Sequence, residues 1–439
     1  MGRSMNTADP DQKELRRHES LNIINALRRG TVPADGLARI VVGLELEEGA
    51  VSRQLDYVAE GGGDLKFIRG DFGSGKTFFV ARALEIAMGK GFATAHIFVS
   101  PTAPLGKPKA LYQQICAGLR TTEGDHALKT IVDNWVYAIE ERLIAADRGN
   151  EGDTSLERAA ENEIETALAG ISETSTGLSA ALRTYYRANN TGDFSLAQAA
   201  IGWIAAEPTV GRDFKQQAGI KGEVDDSTAF PFLAGLIEII HAAGYAGLAI
   251  AIDEMETIQG LQRSQRDRSY QTLARIIDAL DGGRMPHCYF LFTGTPAFFD
   301  SSRGIRSVPP LYDRISVAGA ETDAYKNPRQ PQIQLPKFDT GKLELVALKV
   351  TEVYAQAYRE VDRERVSHRF IRAMIKKLTG RFGGRVDVIP RIFLKEFIDV
   401  LDKCELYEDY NPADAYEFDA GHLKGELRAE EEAVMVVEF

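Results

Sequence analysis

Cysteine is scarce in this chain, and long apolar runs are absent. The 439 residues include three widely spaced cysteines, which predict neither a disulfide framework nor a zinc site: Cys116, Cys288 and Cys404. No stretch reaches the roughly 18 apolar residues that a membrane-spanning helix needs. Residues 1–17 lack the apolar core of a signal peptide, and Asn6 stands where a myristoylation signal has Ser or Thr. We therefore expect a cytoplasmic protein with reduced thiols and no membrane attachment.

Basic residues are fewer than acidic ones, with 52 Lys and Arg against 64 Asp and Glu. The formal net charge is −12, which disfavours nucleic-acid binding by the whole surface. The charge is unevenly spread, however. Residues 359–395 hold eleven basic and four acidic side chains, whereas residues 405–439 hold eleven acidic and two basic ones. The basic segment is a candidate DNA contact, although the solvated face of a helix is the commoner explanation for such a pattern.

The most informative motif is a complete G-x-x-x-x-G-K-[ST] phosphate-binding loop. Its residues are Gly70, Asp71, Phe72, Gly73, Ser74, Gly75, Lys76 and Thr77. Backbone N–H groups of such a loop cradle phosphate oxygens, the lysine reaches the β- and γ-phosphates, and the threonine hydroxyl binds Mg²⁺. A buried strand is predicted before the loop at 65–69 and a helix after it at 78–88, so a chance glycine-rich turn is the weaker explanation. The loop predicts binding of a nucleoside triphosphate with Mg²⁺.

Strands and helices alternate around this loop, which predicts a parallel α/β sheet. The apolar runs 247–252 and 289–292 are the other clear strands, and 93–100 is a further one. Between 111 and 243 the pattern is helical, with no convincing strand. We expect a P-loop ATPase core with a large helical insertion and a C-terminal helical lid. The expected divisions are an N-terminal polar and helical segment at 1–37, the core at 38–110 and 244–338, the insertion at 111–243, the lid at 339–402 and an acidic tail at 403–439.

Two carboxylates directly follow the apolar run at 247–252, and ATP hydrolysis requires a carboxylate at the end of a strand next to the loop. Asp253 is placed to hold Mg²⁺, and Glu254 to polarise the attacking water. A carboxylate pair that only caps the next helix is the alternative. Thr293 ends the next strand, where it could orient that water, although Thr-Gly-Thr-Pro is also good turn chemistry.

Arginine is the remaining expected element, because a guanidinium stabilises the charge that develops on the γ-phosphate. Arg314 could act from a neighbouring subunit, and Arg385 or Arg391 from the lid. An ordinary surface ion pair is the default for each of them.

This order of elements resembles an AAA+ ATPase. The run Ile-Gln-Leu-Pro-Lys-Phe at 333–338 is similar to the origin-recognition and Cdc6-like branch. The resemblance covers roughly residues 38–100 and 245–402. It implies that Thr293 is sensor 1, that Arg314 is the arginine finger, and that Arg385 or Arg391 is sensor 2.

A narrower resemblance rests on five runs: LRRGTVP at 27–33, IVVG at 40–43, FIRGDFGSGK at 67–76, GYAGL at 244–248 and DEME at 253–256. Together they resemble the BrxD-type ATP-binding proteins of bacterial BREX phage-resistance systems. It implies ATP binding within a multi-protein antiviral complex that includes other BREX proteins, such as a DNA helicase and a DNA methyltransferase. It also implies an adenine pocket lined by Val41 and Val42, which are equally suited to a plain core.

These observations predict a Mg²⁺-dependent ATPase, slow or partner-stimulated, that acts as a motor or switch in phage defence. A nucleotide-gated scaffold or recruitment module with little turnover is one alternative, and a DNA-binding ATPase similar to replication initiators is another. We expect a homo-oligomer whose assembly depends on ATP.

Overall fold

The fold contains one seven-stranded sheet, and two of its inner strands are nearly continuous apolar runs. The computed structural model describes residues 17–146, 154–172, 176–208, 210–220, 222–317, 326–386 and 389–418. The strands are β1 Gly63–Arg69, β2 Ala93–Phe98, β3 Leu119–Thr121, β4 Gly124–Asp125, β5 Leu248–Asp253, β6 Cys288–Gly294 and β7 Gln332–Gln334. All residues of β5 and β6 are buried, as expected of parallel strands that helices cover on both faces.

The sheet order is β4-β3-β2-β5-β6-β1-β7. Strands β2, β5 and β6 run parallel, with Phe98 opposite Asp253 and Ile252 opposite Phe292. The strand that leads into the phosphate loop is therefore separated by β6 alone from the strand that ends at Asp253. This mostly parallel sheet with helices around it confirms the α/β P-loop NTPase class.

The strands at the β4 edge correct the expectation of a wholly helical 111–243. Strand β3 pairs antiparallel with β2 and with β4, with Thr94 opposite Arg120 and Thr121 opposite Gly124. A three-residue strand is too short to show an alternating pattern, and its pairing with β2 decides its conformation. The rest of this stretch that the structure describes is chiefly helical.

The chain divides into two units, and the larger comprises residues 49–68 and 86–333. Its core joins the sheet to the apolar faces of the helices between β2 and β5. The helices that lie wholly in this unit are α4 Pro108–Ala117, α5 Leu128–Ala145, α6 Thr154–Ser172, α7 Thr176–Thr191, α8 Phe194–Ile204, α9 Arg212–Gln217, α10 Ala229–Ala242, α11 Arg263–Asp281, α12 Pro296–Asp300 and α13 Pro309–Ile315. Short 3₁₀ helices occupy Met255–Gly260 and Ile305–Ser307.

The smaller unit comprises residues 1–48, 69–85 and 334–439. It contains α1 Arg17–Arg28, a 3₁₀ helix at Leu37–Arg39, α14 Thr340–Ala357, α15 His368–Arg381, α16 Pro390–Leu406 and α17 Pro412–Ala415. Helices α2 Glu45–Ala59 and α3 Lys76–Gly89 contribute residues to both units. The three helices predicted between 343 and 401 are present as α14, α15 and α16, and their role as a lid stays a prediction. Residues 1–16 of the predicted N-terminal segment and 419–439 of the predicted acidic tail lie outside the described residues.

A bidentate ion pair joins the N-terminal helix to the lid helices within the smaller unit. Arg28 donates from Nε and Nη2 to the two carboxylate oxygens of Asp402, at 2.9 and 2.8 Å. Tyr354 also donates to Asp402, at 2.9 Å. Helices α1, α14 and α16 therefore meet at one carboxylate, and this contact joins residues far apart in the chain.

Candidate functional site

The phosphate loop connects β1 to α3, and its backbone requires glycine. Gly73 and Gly75 have φ angles of 75° and 86°, in the left-handed region that other residues rarely adopt. A Cβ built at Gly70 would lie 2.3 Å from Oγ of Ser74. The first N–H groups of α3, which begins at Lys76, have no carbonyl within the helix to bind. The loop therefore presents N–H donors where a helix N-terminus attracts an anion.

Lys76 is folded back into this loop. Its Nζ donates to the carbonyl oxygens of Gly70 and Asp71, both at 3.1 Å, and lies 5.2 Å from the centroid of the Phe72 ring. The hydroxyl of Ser74 is buried and has no hydrogen-bond partner among the described residues. A buried ammonium group and an unsatisfied hydroxyl are suited to phosphate oxygens, so the loop fits a triphosphate on its own geometry.

The residues just before α14 contact the loop within the smaller unit. Nζ of Lys337 lies 3.3 Å from a carboxylate oxygen of Asp71. A Cβ built at Gly75 would lie 3.6 Å from Cε2 of Phe338. The residues that suggested the origin-recognition resemblance therefore touch the phosphate loop, which the sequence pattern did not predict.

Val41 and Val42, the candidate adenine contacts, are half-buried in the smaller unit. The carbonyl oxygen of Val41 accepts a hydrogen bond from Nζ of Lys349 on α14, at 2.7 Å. Val42 packs against the core of this unit, as does Phe78 of α3. The structure therefore gives Val42 a packing role and leaves the adenine contact a prediction.

Glu85 anchors the segment before these valines, and sequence reasoning missed it. Its Oε1 accepts from the N–H groups of Gly36 and Leu37 at 2.6 and 3.1 Å, and its Oε2 accepts from Ala38 at 3.2 Å. Arg82, one turn earlier on α3, donates to the same carboxylate at 2.8 Å. One carboxylate therefore ties the 3₁₀ helix before the valines to the helix that follows the loop.

The predicted carboxylates, Asp253 and Glu254, lie at the end of β5 in the larger unit, and Thr293 lies near the end of the adjacent strand β6. Asp253 ends β5 and is buried, and Thr293 on β6 is also fully buried. The Thr293 hydroxyl donates to Oδ1 of Asp253. The N–H of Glu254 donates to Oδ1 of Asp253 at 2.9 Å and to Oγ1 of Thr293 at 3.1 Å. The structure thus brings these three residues together in one hydrogen-bonded group, which we call the strand-end cluster.

Glu254 adopts a left-handed backbone conformation, with φ 61° and ψ 39°. This conformation costs a non-glycine residue about 1 kcal/mol. The side chain is exposed, whereas that of the neighbouring Asp253 is buried. Adjacent carboxylates therefore have different surroundings, and strained backbone of this kind gathers at functional sites.

His96 on β2 is a further member that the sequence did not reveal. Its Nε2 lies 3.4 Å from Oδ2 of Asp253, whereas the Thr293 hydroxyl donates to the other carboxylate oxygen, Oδ1. The imidazole packs on Phe98, with ring centroids 4.5 Å apart. A histidine within the mostly buried strand β2 was the available signal. Asp253 is consequently bracketed by side chains from both neighbouring strands.

The three candidate arginines are dispersed. Arg314 on α13 forms an ion pair with Asp278 of α11 in the larger unit, and both side chains are about half exposed. Arg385 is exposed between α15 and α16 of the smaller unit. Arg391 is half-buried in the first turn of α16, where its Nη1 would lie 3.3 Å from a Cβ built at Gly30. The roles of these arginines stay predictions.

No cluster of three or more His, Cys, Asp or Glu side chains that could hold a metal occurs among the described residues. Mg²⁺ bound with a nucleotide needs no such cluster, because phosphates and water supply most of its ligands. Thr77 of the smaller unit and Asp253 of the larger unit stay predicted Mg²⁺ ligands.

A family model described as "BREX system ATP-binding protein BrxC/D" matches residues 15–420. The chain belongs to the BrxC/D family. This match confirms the suspected BREX resemblance and supports ATP binding in BREX defence. No curated protein and no solved structure shows a significant match to the chain. Among the helices that the structure describes, none is long and apolar enough to cross a membrane.

Proposed function

We propose that this BrxC/D-family protein is a Mg²⁺-dependent ATPase that acts as a motor or switch in BREX phage defence. The observation that carries the proposal is the strand-end cluster. A phosphate loop alone supports binding, whereas hydrolysis also needs an oriented carboxylate and a means of activating water. The cluster supplies both a buried Asp253 and an exposed Glu254, and the sheet order places β6 alone between β5 and the strand leading into the loop.

The proposed roles follow from the chemistry of each side chain. The loop N–H groups and Lys76 bind the phosphates, and Lys76 exchanges its bonds to Gly70 and Asp71 for phosphate oxygens. Thr77 and Asp253 would hold Mg²⁺, which when bound neutralises charge on the β- and γ-phosphates. Glu254 accepts the proton of the attacking water.

Thr293 acts as a positioning residue in this scheme. Its hydroxyl fixes one oxygen of Asp253 and also accepts from the N–H of Glu254. A single side chain thereby sets the orientation of the proposed Mg²⁺ ligand and of the backbone that carries the proposed base. Orientation of this kind contributes to rate because a displacement of about 1 Å lowers turnover by roughly 10²-fold.

Assembly is a further part of the proposal. Arg314 would stabilise the γ-phosphate bound by a neighbouring copy, after exchanging Asp278 for that phosphate. Arg385 or Arg391 would contact the nucleotide from the predicted lid as sensor 2. An arginine finger at Arg314 predicts oligomers that form with ATP. Light scattering with and without ATP tests this, and a monomer under both conditions would contradict a role for Arg314 between subunits.

The decisive test of the ATPase is phosphate release from Mg²⁺-ATP by matched carboxylate variants. We expect Glu254→Gln to lower turnover by about 10²–10⁴-fold, the contribution of a general base. Glu256→Gln, two residues away, is the control and should retain turnover. Equal losses in both variants would contradict the assignment. Wild-type turnover that is negligible with and without DNA and partner proteins would instead support a nucleotide-gated recruitment module.

A further inference from the structure

Helix α15 of the smaller unit exposes basic side chains and no acidic ones. Its fourteen residues include no Asp or Glu, and they include His368, Arg369, Arg372, Lys376, Lys377 and Arg381. The opposite face supplies the core through Phe370, Ile371, Met374, Ile375 and Leu378. We propose that the exposed face of Arg369, Arg372 and Lys376, here called the α15 face, binds the phosphate backbone of duplex DNA. This goes beyond the proposed ATPase and does not depend on it.

Several basic residues of the 359–395 segment are already engaged by the fold. Arg365 donates to the carbonyl oxygens of Cys404 and Tyr407, at 2.9 and 2.7 Å. Lys377 donates to the carbonyl of Tyr416 at 2.8 Å. These cations satisfy carbonyl groups in the same unit, so the charge count of the sequence overstates what is available to a partner.

The α15 face differs from those engaged residues. Arg369 and Lys376 are exposed and form no hydrogen bond or ion pair with any described residue. Arg372 donates from Nε to Glu344 at 2.6 Å, yet its side chain remains 67% exposed. That bond leaves both Nη groups of the guanidinium for a ligand. Oε1 of Glu344 also lies 2.8 Å from Nδ1 of His368, and the Glu344 side chain is only 9% exposed.

The spacing of these three residues suits a chain of phosphates. They recur at three and four positions, so they rise along one side of the helix by about 4.5 and 6 Å. Ala373 and Gly380 lie exposed on the same side, and their small side chains allow close approach of a backbone. Repeated cations along an unobstructed helix face match the repeated charges of a nucleic-acid strand.

Duplex rather than single-stranded nucleic acid fits this face. Proteins that bind single strands without sequence preference stack the bases on exposed aromatic side chains. The aromatic residue of α15, Phe370, is 6% exposed and belongs to the core. The face therefore offers phosphate contacts without a stacking platform, and binding should be independent of sequence.

The experiment measures fluorescence anisotropy of a labelled mixed-sequence duplex of 30 base pairs with the full chain, between 50 and 200 mM salt. Three phosphate contacts predict that affinity falls about 40-fold across this range. The double variant Arg369→Ala/Lys376→Ala should bind at least tenfold more weakly at 50 mM salt, and its affinity should fall only about 3-fold across the range. Neither residue has a structural partner, so the melting temperature should match the wild type.

The control Lys129→Ala/Arg187→Ala removes the same charge from exposed positions on α5 and α7. It should bind DNA as the wild type does. The proposal is overturned by absence of binding at 50 mM salt, by equal losses in the two double variants, or by tighter binding of oligo-dT than of the duplex. Phosphate release without DNA should be unchanged in Arg369→Ala/Lys376→Ala, which separates failure of this proposal from failure of the ATPase.

Discussion

Replacement of Thr293 by valine tests how the strand-end cluster works. Valine keeps the shape of threonine but removes the hydroxyl that donates to Asp253 and accepts from the N–H of Glu254. Loss of a buried hydrogen bond to a charged group costs about 2 kcal/mol. The Glu254 N–H keeps its 2.9 Å bond to Asp253, so the loss should not be doubled. For a unit of this size, the melting temperature should fall by about 4 °C.

The same change should separate turnover from nucleotide binding. Without the hydroxyl, Asp253 and the backbone of Glu254 lose a shared constraint, and we expect kcat to fall by about 10²-fold. Affinity for ATP should change little, because the phosphate loop is untouched. Thr293→Ser retains the hydroxyl and should keep most turnover. Calorimetry, ATP-binding titration and phosphate release measure these effects, and a valine variant with wild-type stability and kcat would refute the reasoning.

Three further predictions concern neighbouring features. Glu254→Gly should remove the left-handed backbone strain, so its free energy of unfolding should exceed that of Glu254→Ala by about 1 kcal/mol, while both variants lose turnover. Equal free energies of unfolding would contradict the strain argument. Glu85→Ala should cost about 3 kcal/mol in chemical denaturation, because four partly buried donors lose their acceptor, whereas Glu85→Gln should cost less; a neutral Glu85→Ala would contradict the anchoring role. Burial lowers the pKa of Lys66 to about 8, from 10.5 in the unfolded chain. Between these two pH values the folded state binds fewer protons than the unfolded state. Stability should therefore rise with pH from about 8 to 10.5, by up to about 3 kcal/mol, and Lys66→Met should lose that dependence; parallel pH profiles would show that the pKa is not lowered.

Local sequence patterns predicted four of the seven strands, β1, β2, β5 and β6. The clearest were β5 and β6, since a strand covered on both faces leaves a nearly continuous apolar run. The nearness of Asp253 and Thr293 also followed from two strand ends at one edge of a parallel sheet. Strands β3 and β4 were not predicted, because their pairing with β2 rather than their composition determines them.

Contacts between distant residues account for most of what the sequence did not reveal. His96 beside Asp253, Glu85 on Gly36 and Lys337 on Asp71 each join segments whose proximity only the tertiary structure determines. The pairing of Arg314 with Asp278 belongs to the same group, and it adds a condition to the predicted finger role. Charge counting likewise drew attention to residues 359–395, but burial and bonding had to select the α15 face.

The central claim is that Glu254 drives cleavage of ATP held by the phosphate loop. The most direct measurement is a single turnover with limiting radiolabelled ATP and Mg²⁺, followed by separation of bound ATP from ADP. Wild-type protein should convert the bound nucleotide to ADP, whereas Glu254→Gln should bind ATP and retain it uncleaved. Conversion to ADP by Glu254→Gln at the wild-type rate would contradict the account.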